Sequence, residues 1–333
     1  MRTELDAVAA AALEQYDFSP EAVTLVNVSE NLTYRVDDRR TGRSVALRVH
    51  RPDYHSEAAI ESELCWMDAL REDGAAEPPR PVRARDGARV VTVVDARGRA
   101  RHAVAFEWLP GRAPDPGGDL VPGYRVLGSI AAKLHAHGSR WRPPSSFDRY
   151  TCDYDTALGP QARWGRWQEG LGIGRPERDL LARLDGEIAG RLADYGTGRD
   201  RFGLAHNDLR PANLLVDGDR VQVIDFDDCG YSWYLYDFAT SVSFIEDDSR
   251  LPEWTAAWLD GYARCRAVSA DDLAMVPTLV MFRRLLLVGW IGSHHEYAAE
   301  AAELGAGFTR GTCALAEAYL AGEFLTPSPY RSR

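Results

Sequence analysis

One short segment of the chain carries the residue types that hold a metal-bound phosphate and take up a proton. It reads HNDLRPAN over residues 206–213, and Asp225 follows twelve residues after Asn213, at the end of an apolar stretch. Asp208 and Asn213 both offer oxygen from one loop, and Asp225 adds a carboxylate. Mg²⁺ prefers oxygen ligands, usually one or two carboxylates or amides besides phosphate oxygens. Because phosphoryl transfer also needs a carboxylate beside the attacking hydroxyl, this spacing indicates phosphoryl-transfer chemistry.

These residues also have an ordinary structural explanation. A His-x-Asp or Asp-Phe pair occurs often by chance, and an aspartate at a strand end commonly caps a turn. The joint pattern is much less common, because it combines the order, the spacing and a β-rich region ahead of it. The pattern as a whole therefore favours a catalytic loop over a coincidence of turns.

The sequence resembles the aminoglycoside phosphotransferase and choline kinase superfamily, the small-molecule relatives of the protein kinases. The segments that carry the resemblance are HNDLRPANLLV, VIDFDD and the downstream YLYDFA. The resemblance implies that Asp208 is the catalytic base and that Asn213 and Asp225 are the magnesium ligands. It also implies that His206 orders the loop and that Asp237 braces it from the next helix. The implied fold is the bilobal protein-kinase-like fold, with ATP or GTP as phosphate donor and Mg²⁺ as cofactor.

Two more residues near this loop are candidates for the same site. Arg210, inside the loop, is predicted to neutralise the transferring phosphate, although it could also pair with a nearby carboxylate. Asp227, two positions after Asp225, is predicted as a further metal ligand, whereas Asp228 could equally cap a turn. The sequence leaves these alternatives open.

The small lobe lacks the lysine that kinases place on a strand to bind the phosphates of the nucleotide. Lys133 is the only lysine of the chain, and the matching strand position, in SVALRVH, is Arg48. A guanidinium is always charged and grips phosphate oxygens in a bidentate way. Arg48 is therefore predicted to bind the α- and β-phosphates in place of a lysine.

The partner of Arg48 is predicted from a helix over residues 56–74. Stepping 100° per residue places Glu63 within the apolar stripe of this helix and Glu61 outside it. A carboxylate on an apolar face needs a partner, so Glu63 is predicted to hold Arg48, the alternative being a solvated residue at the margin of the stripe. The apolar residues that define the stripe are Ile60, Leu64, Met67 and Leu70.

Two loops complete the predicted nucleotide site. Residues 28–34 stand where kinases have a glycine-rich phosphate loop, yet they contain no glycine. Ser29, Asn31 and backbone N–H groups are predicted to contact phosphates there, although an ordinary hairpin turn explains the segment almost as well. The positions that match the kinase hinge, whose backbone would pair with adenine, are Glu107, Trp108 and Leu109.

Length and periodicity predict an α+β chain of two lobes. Residues 20–108 are predicted as β-β-β-α-β-β, a five-stranded antiparallel sheet with one helix, preceded by a helix over 3–16. Strand periodicity then gives way to helix periodicity. The predicted nucleotide-binding lobe is therefore residues 1–108, the hinge is 109–112, and the catalytic and acceptor-binding lobe is 113–333.

Helix patterns dominate beyond the hinge. The periodicity predicts helices across Tyr154–Glu169 and Pro176–Tyr195, and the runs NLLV and VQVID predict two short strands joined by a turn. The most apolar stretch, Met275–Gly292, is interrupted by Arg283 and Arg284. It is therefore predicted to be a buried helix rather than a membrane span.

The composition argues against several classes of function. The 333 residues include 39 basic and 50 acidic side chains, and the net charge of -11 argues against nucleic acid as the main partner. The five cysteines are scattered without a CxxC pair, which predicts neither a zinc site nor a disulfide framework and favours a reducing cytoplasm. Acidic residues near the N-terminus argue against a signal peptide.

The acceptor is predicted to be a hydroxyl-bearing small molecule bound among helices beside Asp208. Aromatic side chains and acidic charge would suit an amine-bearing acceptor through cation–π contacts, but tryptophans that only pack helices explain the pattern at least as well. An aminoglycoside, an amino alcohol, a sugar or a related natural product fits this prediction. The predicted walls are Tyr150–Trp167, Tyr231–Tyr236 and Arg283–His295.

Two other classes of function remain open. A bacterial stress-type Ser/Thr protein kinase shares the loop motifs, but only eleven residues separate Asp225 from Asp237, which leaves no long activation segment. A pseudokinase or nucleotide-binding module would explain the missing lysine and glycines, yet Asp208, Asn213 and Asp225 are all present. The sequence therefore favours a small-molecule kinase and leaves its oligomeric state open.

Overall fold

The chain folds into two compact units in a computed structural model, which describes residues 2–28, 31–115, 117–218 and 220–325. The sheet unit comprises the residues up to Gly111 together with Arg142–Arg149. The helical unit comprises Arg112–Trp141 and the residues from Tyr150 on. Ser29, predicted to contact phosphate, lies outside the described residues.

Among its described residues, the sheet unit contains two helices and six strands. In chain order these are α1 (Arg2–Leu13), β1 (Pro20–Val28), β2 (Leu32–Asp38), β3 (Arg43–Val49), α2 (Glu57–Glu72), β4 (Pro81–Val82), β5 (Val91–Val94) and β6 (Ala100–Glu107). The strands form one antiparallel sheet in the order β1-β2-β3-β6-β4, and β5 also pairs with β6. The prediction of a five-stranded sheet is therefore wrong by one strand. The missed strand, β4, has two residues and starts with a proline, which cannot donate to a ladder, so it leaves no alternating pattern to detect.

The core of the sheet unit contains one face of α1 and alternate residues of the strands. In β2, Leu32, Tyr34 and Val36 are buried while the residues between them are more exposed, as the two-residue period of a strand requires. Tyr16, just after α1, is fully buried and accepts a hydrogen bond from the backbone amide of Ala105 in β6, with 3.1 Å between N and Oη. The N-terminal helix is thereby fixed to the central strands.

Helix α2 begins and ends where its sequence predicts. The side chain of Ser56 caps its first turn, and Gly74, with φ of 65°, follows its last turn in the left-handed conformation that glycine adopts easily. Its buried face contains the predicted apolar stripe, with Glu63 included. The later segment of this unit is tied to α2, because the amide of Asp148 and the guanidinium of Arg149 donate hydrogen bonds to it.

The helical unit contains seven helices and four short strands among its described residues. In chain order these are α3 (Val121–Gly138), α4 (Tyr154–Ala157), α5 (Arg175–Tyr195), β7 (Phe202–Ala205), β8 (Leu214–Asp217), β9 (Arg220–Val223), β10 (Gly230–Trp233), α6 (Tyr236–Ser241), α7 (Leu251–Ala263), α8 (Ala270–His294) and α9 (Ala299–Leu320). Strand β8 pairs with β9 as predicted, and β7 pairs with β10. The β7–β10 pair was not predicted, because four residues with a glycine in each strand are too short to show alternation.

The prediction of one helix across Tyr154–Glu169 is wrong. Only α4 and a short 3₁₀ turn at Trp167–Glu169 are helical there. Gly159 and Pro160 follow Leu158, the C-cap of α4, and a Cβ at Gly159 would collide with the carbonyl of Asp155. A glycine that must approach the preceding turn, followed by a proline, ends the helix despite its apolar pattern.

Two glycines bring α3 and α7 unusually close. A Cβ at Gly128 would collide with the carbonyl of Trp258, and one at Gly261 would collide with the carbonyl of Arg125. Only residues without a side chain allow this approach, so the two backbones lie against each other. Residues further along both helices are thereby placed in direct contact beneath the catalytic loop.

Helix α8 lies in the core of the helical unit. It is the one helix in the described ranges that is long and apolar enough to cross a membrane, and 94% of its most apolar window is buried inside the fold. The predicted buried helix is therefore confirmed, although it is 25 residues long and extends beyond the predicted stretch at both ends. It is the element that brings Arg283 to the catalytic loop.

Candidate active site

The catalytic loop lies between β7 and β8, and a buried aspartate holds its start. Asp237, on α6, accepts hydrogen bonds from the amide of His206 at 3.2 Å, the amide of Asn207 at 2.7 Å and Nε2 of His135 at 2.8 Å. Burial by itself raises the pKa of Asp237, but the hydrogen bonds from His135 and the loop amide outweigh it, and the net pKa is lowered. His135, on α3, is held in turn by the hydroxyl of Tyr262 on α7, at 2.9 Å. Asp237 thus braces the loop as the resemblance implies.

His206 links the loop to the stretch that precedes Asp225. The amide of Asp208 donates to Nδ1 of His206, at 3.3 Å, so Nε2 carries the ring proton and donates to the carbonyl of Ile224, also at 3.3 Å. The ring lies against Phe226, with 4.6 Å between centroids. His206 therefore fixes both the loop and the neighbouring turn, the ordering role that the resemblance implies.

Two residues of the site have left-handed backbones without being glycine. Asn207 has φ of 64° and Asp225 has φ of 60°. Asparagine and aspartate are the side chains that tolerate this conformation best, and residues held in it concentrate at functional sites. Asp225 is exposed, in the turn that follows β9. The conformation places a carboxylate at the surface of a turn whose neighbours are buried.

The catalytic base candidate is held at both of its carboxylate oxygens. Nδ2 of Asn213 donates to Oδ2 of Asp208 at 2.8 Å and to its carbonyl at 2.8 Å. A guanidinium N–H of Arg283 donates to Oδ1 at 2.9 Å. The carboxylate keeps 21% of its surface exposed, so an acceptor can still reach it. The geometry brings Asp208 and Asn213 together as the spacing predicts.

Asn213 and Asp225 are suited to hold a divalent cation. Because Nδ2 of Asn213 faces the oxygens of Asp208, its carbonyl oxygen is the side-chain atom that can bind a cation. The amide of Ile224, directly before Asp225, donates to the carbonyl of Asn213 at 2.9 Å, so the two residues belong to adjacent backbone segments. Asp227, two positions further, is buried. Amide and carboxylate oxygens are a donor set that fits a hard divalent cation.

Arg283 stands at the start of a predicted acceptor wall, but its contact with Asp208 was not predicted from the sequence. Its guanidinium donates to Oγ of Ser243 at 3.1 Å, to the hydroxyl of Tyr236 at 3.2 Å and to Asp208. Burial by itself lowers the pKa of Arg283, but its interactions with Tyr236 and Asp208 outweigh it, and the net pKa is raised. The sequence signal that could have indicated this contact is the position of Arg283 within an apolar helix, because a buried charge needs a partner.

Arg210 lies against a carboxylate of the helical unit. Its guanidinium contacts Glu300 of α9 at 3.3 Å and lies over the ring of Phe244, 5.1 Å from its centroid. This is the second of the two alternatives that the sequence left open. The cation that contacts Asp208 is therefore Arg283 and not the arginine inside the loop.

Asp228, the other residue that the sequence left open, accepts a hydrogen bond at its backbone carbonyl from the hydroxyl of Tyr150, with 2.7 Å between the oxygens.

In the sheet unit, Arg48 and Glu63 form the predicted ion pair. A guanidinium nitrogen of Arg48, on β3, lies 2.6 Å from Oε2 of Glu63, on α2, and the guanidinium lies 5.1 Å from the centroid of Phe106. Both side chains are buried. Glu61, outside the stripe, pairs with Arg89 instead. Asn31, at the start of β2, is also buried.

The three hinge candidates differ in whether their backbone amides already donate a hydrogen bond. The amide of Glu107 donates to the carbonyl of Arg80 at 2.9 Å, and the amide of Trp108 donates to the carbonyl of Ser44 at 3.3 Å. Among the described residues, the amide of Leu109 makes no such hydrogen bond. If this segment pairs with adenine, the donor is therefore Leu109.

The aromatic residues of the predicted acceptor walls are mostly part of the core. Trp164, Trp167 and Trp233 are buried, as are Trp254 and Trp258 on α7. Trp290, on α8, is partly exposed and lies 6.0 Å from Phe244, measured between ring centroids. Helix packing therefore explains most of the tryptophans.

The chain is similar to several known kinases in sequence and in fold. The model of the phosphotransferase enzyme family matches residues 23–268. The structure of a microcompartment-associated aminopropanol kinase is 47% identical, with a TM-score of 0.88, and the match covers 96% of this chain and 99% of that one. The amicoumacin kinase of Bacillus subtilis (strain 168) is 21% identical over 316 residues, 91% of this chain and 90% of that protein. An amicoumacin kinase in complex with AMP-PNP and Ca²⁺ shares the fold, with 22% identity, a TM-score of 0.77 and coverage of 94% and 96%.

Proposed function

Because the chain belongs to the phosphotransferase enzyme family, we propose that it transfers the γ-phosphoryl group of ATP to the hydroxyl of a short amino alcohol, with Mg²⁺ as the cation. The predictions of the family, of a protein-kinase-like fold and of a phosphotransferase with an alcohol acceptor are confirmed. What carries the choice of acceptor is the 47% identity, over nearly the whole of both chains, to an aminopropanol kinase. The proposal thus selects the amino alcohol from the acceptors left open by the sequence.

In the proposed reaction, Asp208 binds the acceptor hydroxyl and takes up its proton. The hydroxyl oxygen forms a bond to the γ-phosphorus while the bond from that phosphorus to the bridging oxygen of ADP breaks, in line with the attack. Asn213 and Arg283 support this role, because they hold the two oxygens of the carboxylate in a fixed direction. The carboxylate of Asp208 holds the proton and releases it to solvent after transfer, and the products are ADP and the phosphorylated amino alcohol.

The proposed nucleotide-binding residues of the sheet unit are Arg48 and Leu109, and the proposed cation-binding residues of the helical unit are Asn213 and Asp225. Arg48 binds the α- and β-phosphates, and its ion pair with Glu63 holds the guanidinium in place. The amide of Leu109 pairs with adenine. Asn213 and Asp225, with Asp227 as a further candidate, hold the cation. When bound, Mg²⁺ neutralises charge on the phosphate oxygens.

The other two classes of function have less support. The eleven residues between Asp225 and Asp237 include β10, which is paired with β7, so little of that segment remains to form a platform for a peptide. A pseudokinase has no need of a base and a metal-binding amide in direct contact, as Asp208 and Asn213 are.

An acceptor screen tests the proposal. The purified chain with ATP and MgCl₂ is incubated with 1-amino-2-propanol, ethanolamine, sugars, an aminoglycoside and a generic protein, and acceptor-dependent ADP release is measured. We expect turnover with an amino alcohol, and ³¹P NMR should show a phosphate monoester. Turnover confined to sugars, to the aminoglycoside or to the protein would overturn the choice of acceptor. Asp208→Asn, with ATP binding checked by calorimetry, controls for contaminating kinases.

A further inference from the structure

Arg283 contacts the candidate base from a helix that is remote in sequence. We propose that Arg283 is a positioning residue for the reaction, which holds the carboxylate of Asp208 in the orientation that accepts the acceptor proton. The inference rests on the proposed function, because it takes Asp208 as the base. It concerns a residue of α8, 75 positions along the chain from the loop that it acts on.

The guanidinium of Arg283 is itself fixed before it reaches Asp208. Its Nε donates to Ser243 and one terminal nitrogen donates to Tyr236, which leaves the other terminal nitrogen to contact Oδ1 of Asp208. A guanidinium is planar, so two fixed donors determine where the third points. The direction of the Asp208 carboxylate is therefore set by α8, α6 and the residues just after α6, and not by the loop alone.

Burying the charge of Arg283 in α8 costs desolvation free energy. Helix α8 is apolar and almost wholly buried, and removing a guanidinium from water costs free energy that a well-packed apolar side chain would avoid. Arg284 is buried in the same helix at the same cost, so what distinguishes Arg283 is the group that it contacts. The guanidinium of Arg283 is in direct contact with Asp208, whose side chain remains partly exposed.

The next residue of the same helix provides a matched control. Arg284 is also a buried arginine, and it pairs with Glu246, donates to Oγ1 of Thr312 at 3.0 Å and lies over the ring of Phe308. Among the described residues, Arg284 makes no hydrogen bond or ion pair with the catalytic loop. Arg283 and Arg284 therefore share residue type, helix and burial, and they differ in whether they contact Asp208.

The test compares kcat with KM in the full chain, using the amino alcohol that the wild-type protein phosphorylates best. For Arg283→Met we expect kcat to fall about 30- to 100-fold, the range for a misplaced catalytic group, with KM for the acceptor and Kd for ATP within about twofold of wild type. Arg283→Lys, which keeps the charge but loses the fork, should recover part of kcat. Arg284→Met should lower Tm at least as much while kcat stays within about threefold.

A double variant distinguishes positioning from a general structural role. If Arg283 acts through Asp208, adding Arg283→Met to Asp208→Asn causes no further loss of kcat, because the group that it positions is already gone. A multiplicative further loss would overturn the proposal, and so would wild-type kcat in Arg283→Met. If Arg283→Met does not fold, Arg283→Lys decides: a kcat at least about fivefold lower with unchanged Kd for ATP supports the proposal, and wild-type kcat refutes it. An inactive wild-type chain would instead contradict the proposed function itself.

Discussion

Two arginine–carboxylate pairs, one in each unit, differ in which member is the more exposed. In the sheet unit, the carboxylate of Glu63 is fully buried and Arg48 retains 7% of its side-chain surface exposed. In the helical unit, the carboxylate of Asp208 is 21% exposed and Arg283 is 10% exposed. The more exposed member of each pair is the one that can meet a ligand. These exposures support the proposal that Arg48 binds the nucleotide in the first pair and that Asp208 acts as the base in the second.

The difference shows what the supporting member of a buried ion pair contributes. Glu63 is fully buried and accepts a hydrogen bond from Arg48, so it affects a ligand through the position and charge of that guanidinium. Arg283 contacts the reacting group itself and is held by two further partners. We expect changes in the first pair to alter nucleotide binding and changes in the second to alter turnover.

The largest expected effect is that of Asp208→Asn, which tests the helical-unit pair. An amide cannot accept the acceptor proton, so kcat should fall at least about a hundredfold. Kd for ATP should stay within about threefold of wild type, because Asp208 is not one of the proposed nucleotide contacts. Stopped assays of ADP release and calorimetry measure the two quantities, and retention of more than about a tenth of kcat would show that Asp208 is not the base.

The next effect concerns Arg48 and should appear in binding. Arg48→Met removes the proposed phosphate ligand and leaves the carboxylate of Glu63 buried without its cation, so Kd for ATP should rise at least about tenfold. Arg48→Lys restores the charge and should recover most of the affinity. The control is thermal denaturation, because a variant that lowers Tm without weakening ATP binding would show that the pair only stabilises the fold.

The first pair was predictable from the sequence and the second was not, for a physical reason. Glu63 was found because helix α2 is regular, caps at Ser56 and buries one face, so its angular position follows from counting residues. Arg283 contacts Asp208 across 75 residues of chain, and which turn of a buried helix faces a distant loop depends on packing that no local pattern records. The roles of Asn213 and Asp225 in metal binding stay predictions.

The same dependence on local sequence patterns explains which elements of the fold were predicted and which were missed. Regular, longer elements such as α2 and α8 were predicted, because their periodicity extends over several turns. Strand β4, with two residues, and strands β7 and β10, with four each, were missed. The helix predicted across residues 154–169 failed where Gly159 and Pro160 interrupt it, since an apolar pattern does not reveal that the chain has left the helix.

A third variant tests Asp237, which holds the start of the loop that carries Asp208. Because the pKa of Asp237 is lowered in the folded chain, its ionised form stabilises the fold above the unfolded pKa of about 4, and this stabilisation is lost as the pH falls through the folded pKa. Asp237→Asn should therefore lower Tm by several degrees at pH 7, and the difference from wild type should narrow as the pH falls below about 4. Asp260→Asn, which removes a half-exposed surface ion pair, is the control and should change Tm little.

The smallest expected effect is at Arg210 and Glu300, and it decides between the two alternatives for Arg210. Their ion pair is partly exposed, with 3.3 Å between the charged atoms, so Glu300→Gln should cost less than about 1 kcal/mol of unfolding free energy and leave kcat within about twofold. If Arg210 serves only as the partner of Glu300, Arg210→Met behaves like Glu300→Gln in both measurements. A loss of kcat of more than about tenfold in Arg210→Met alone would instead assign Arg210 to the transferring phosphate, and the second pair would then have a cation on each side of the reacting groups.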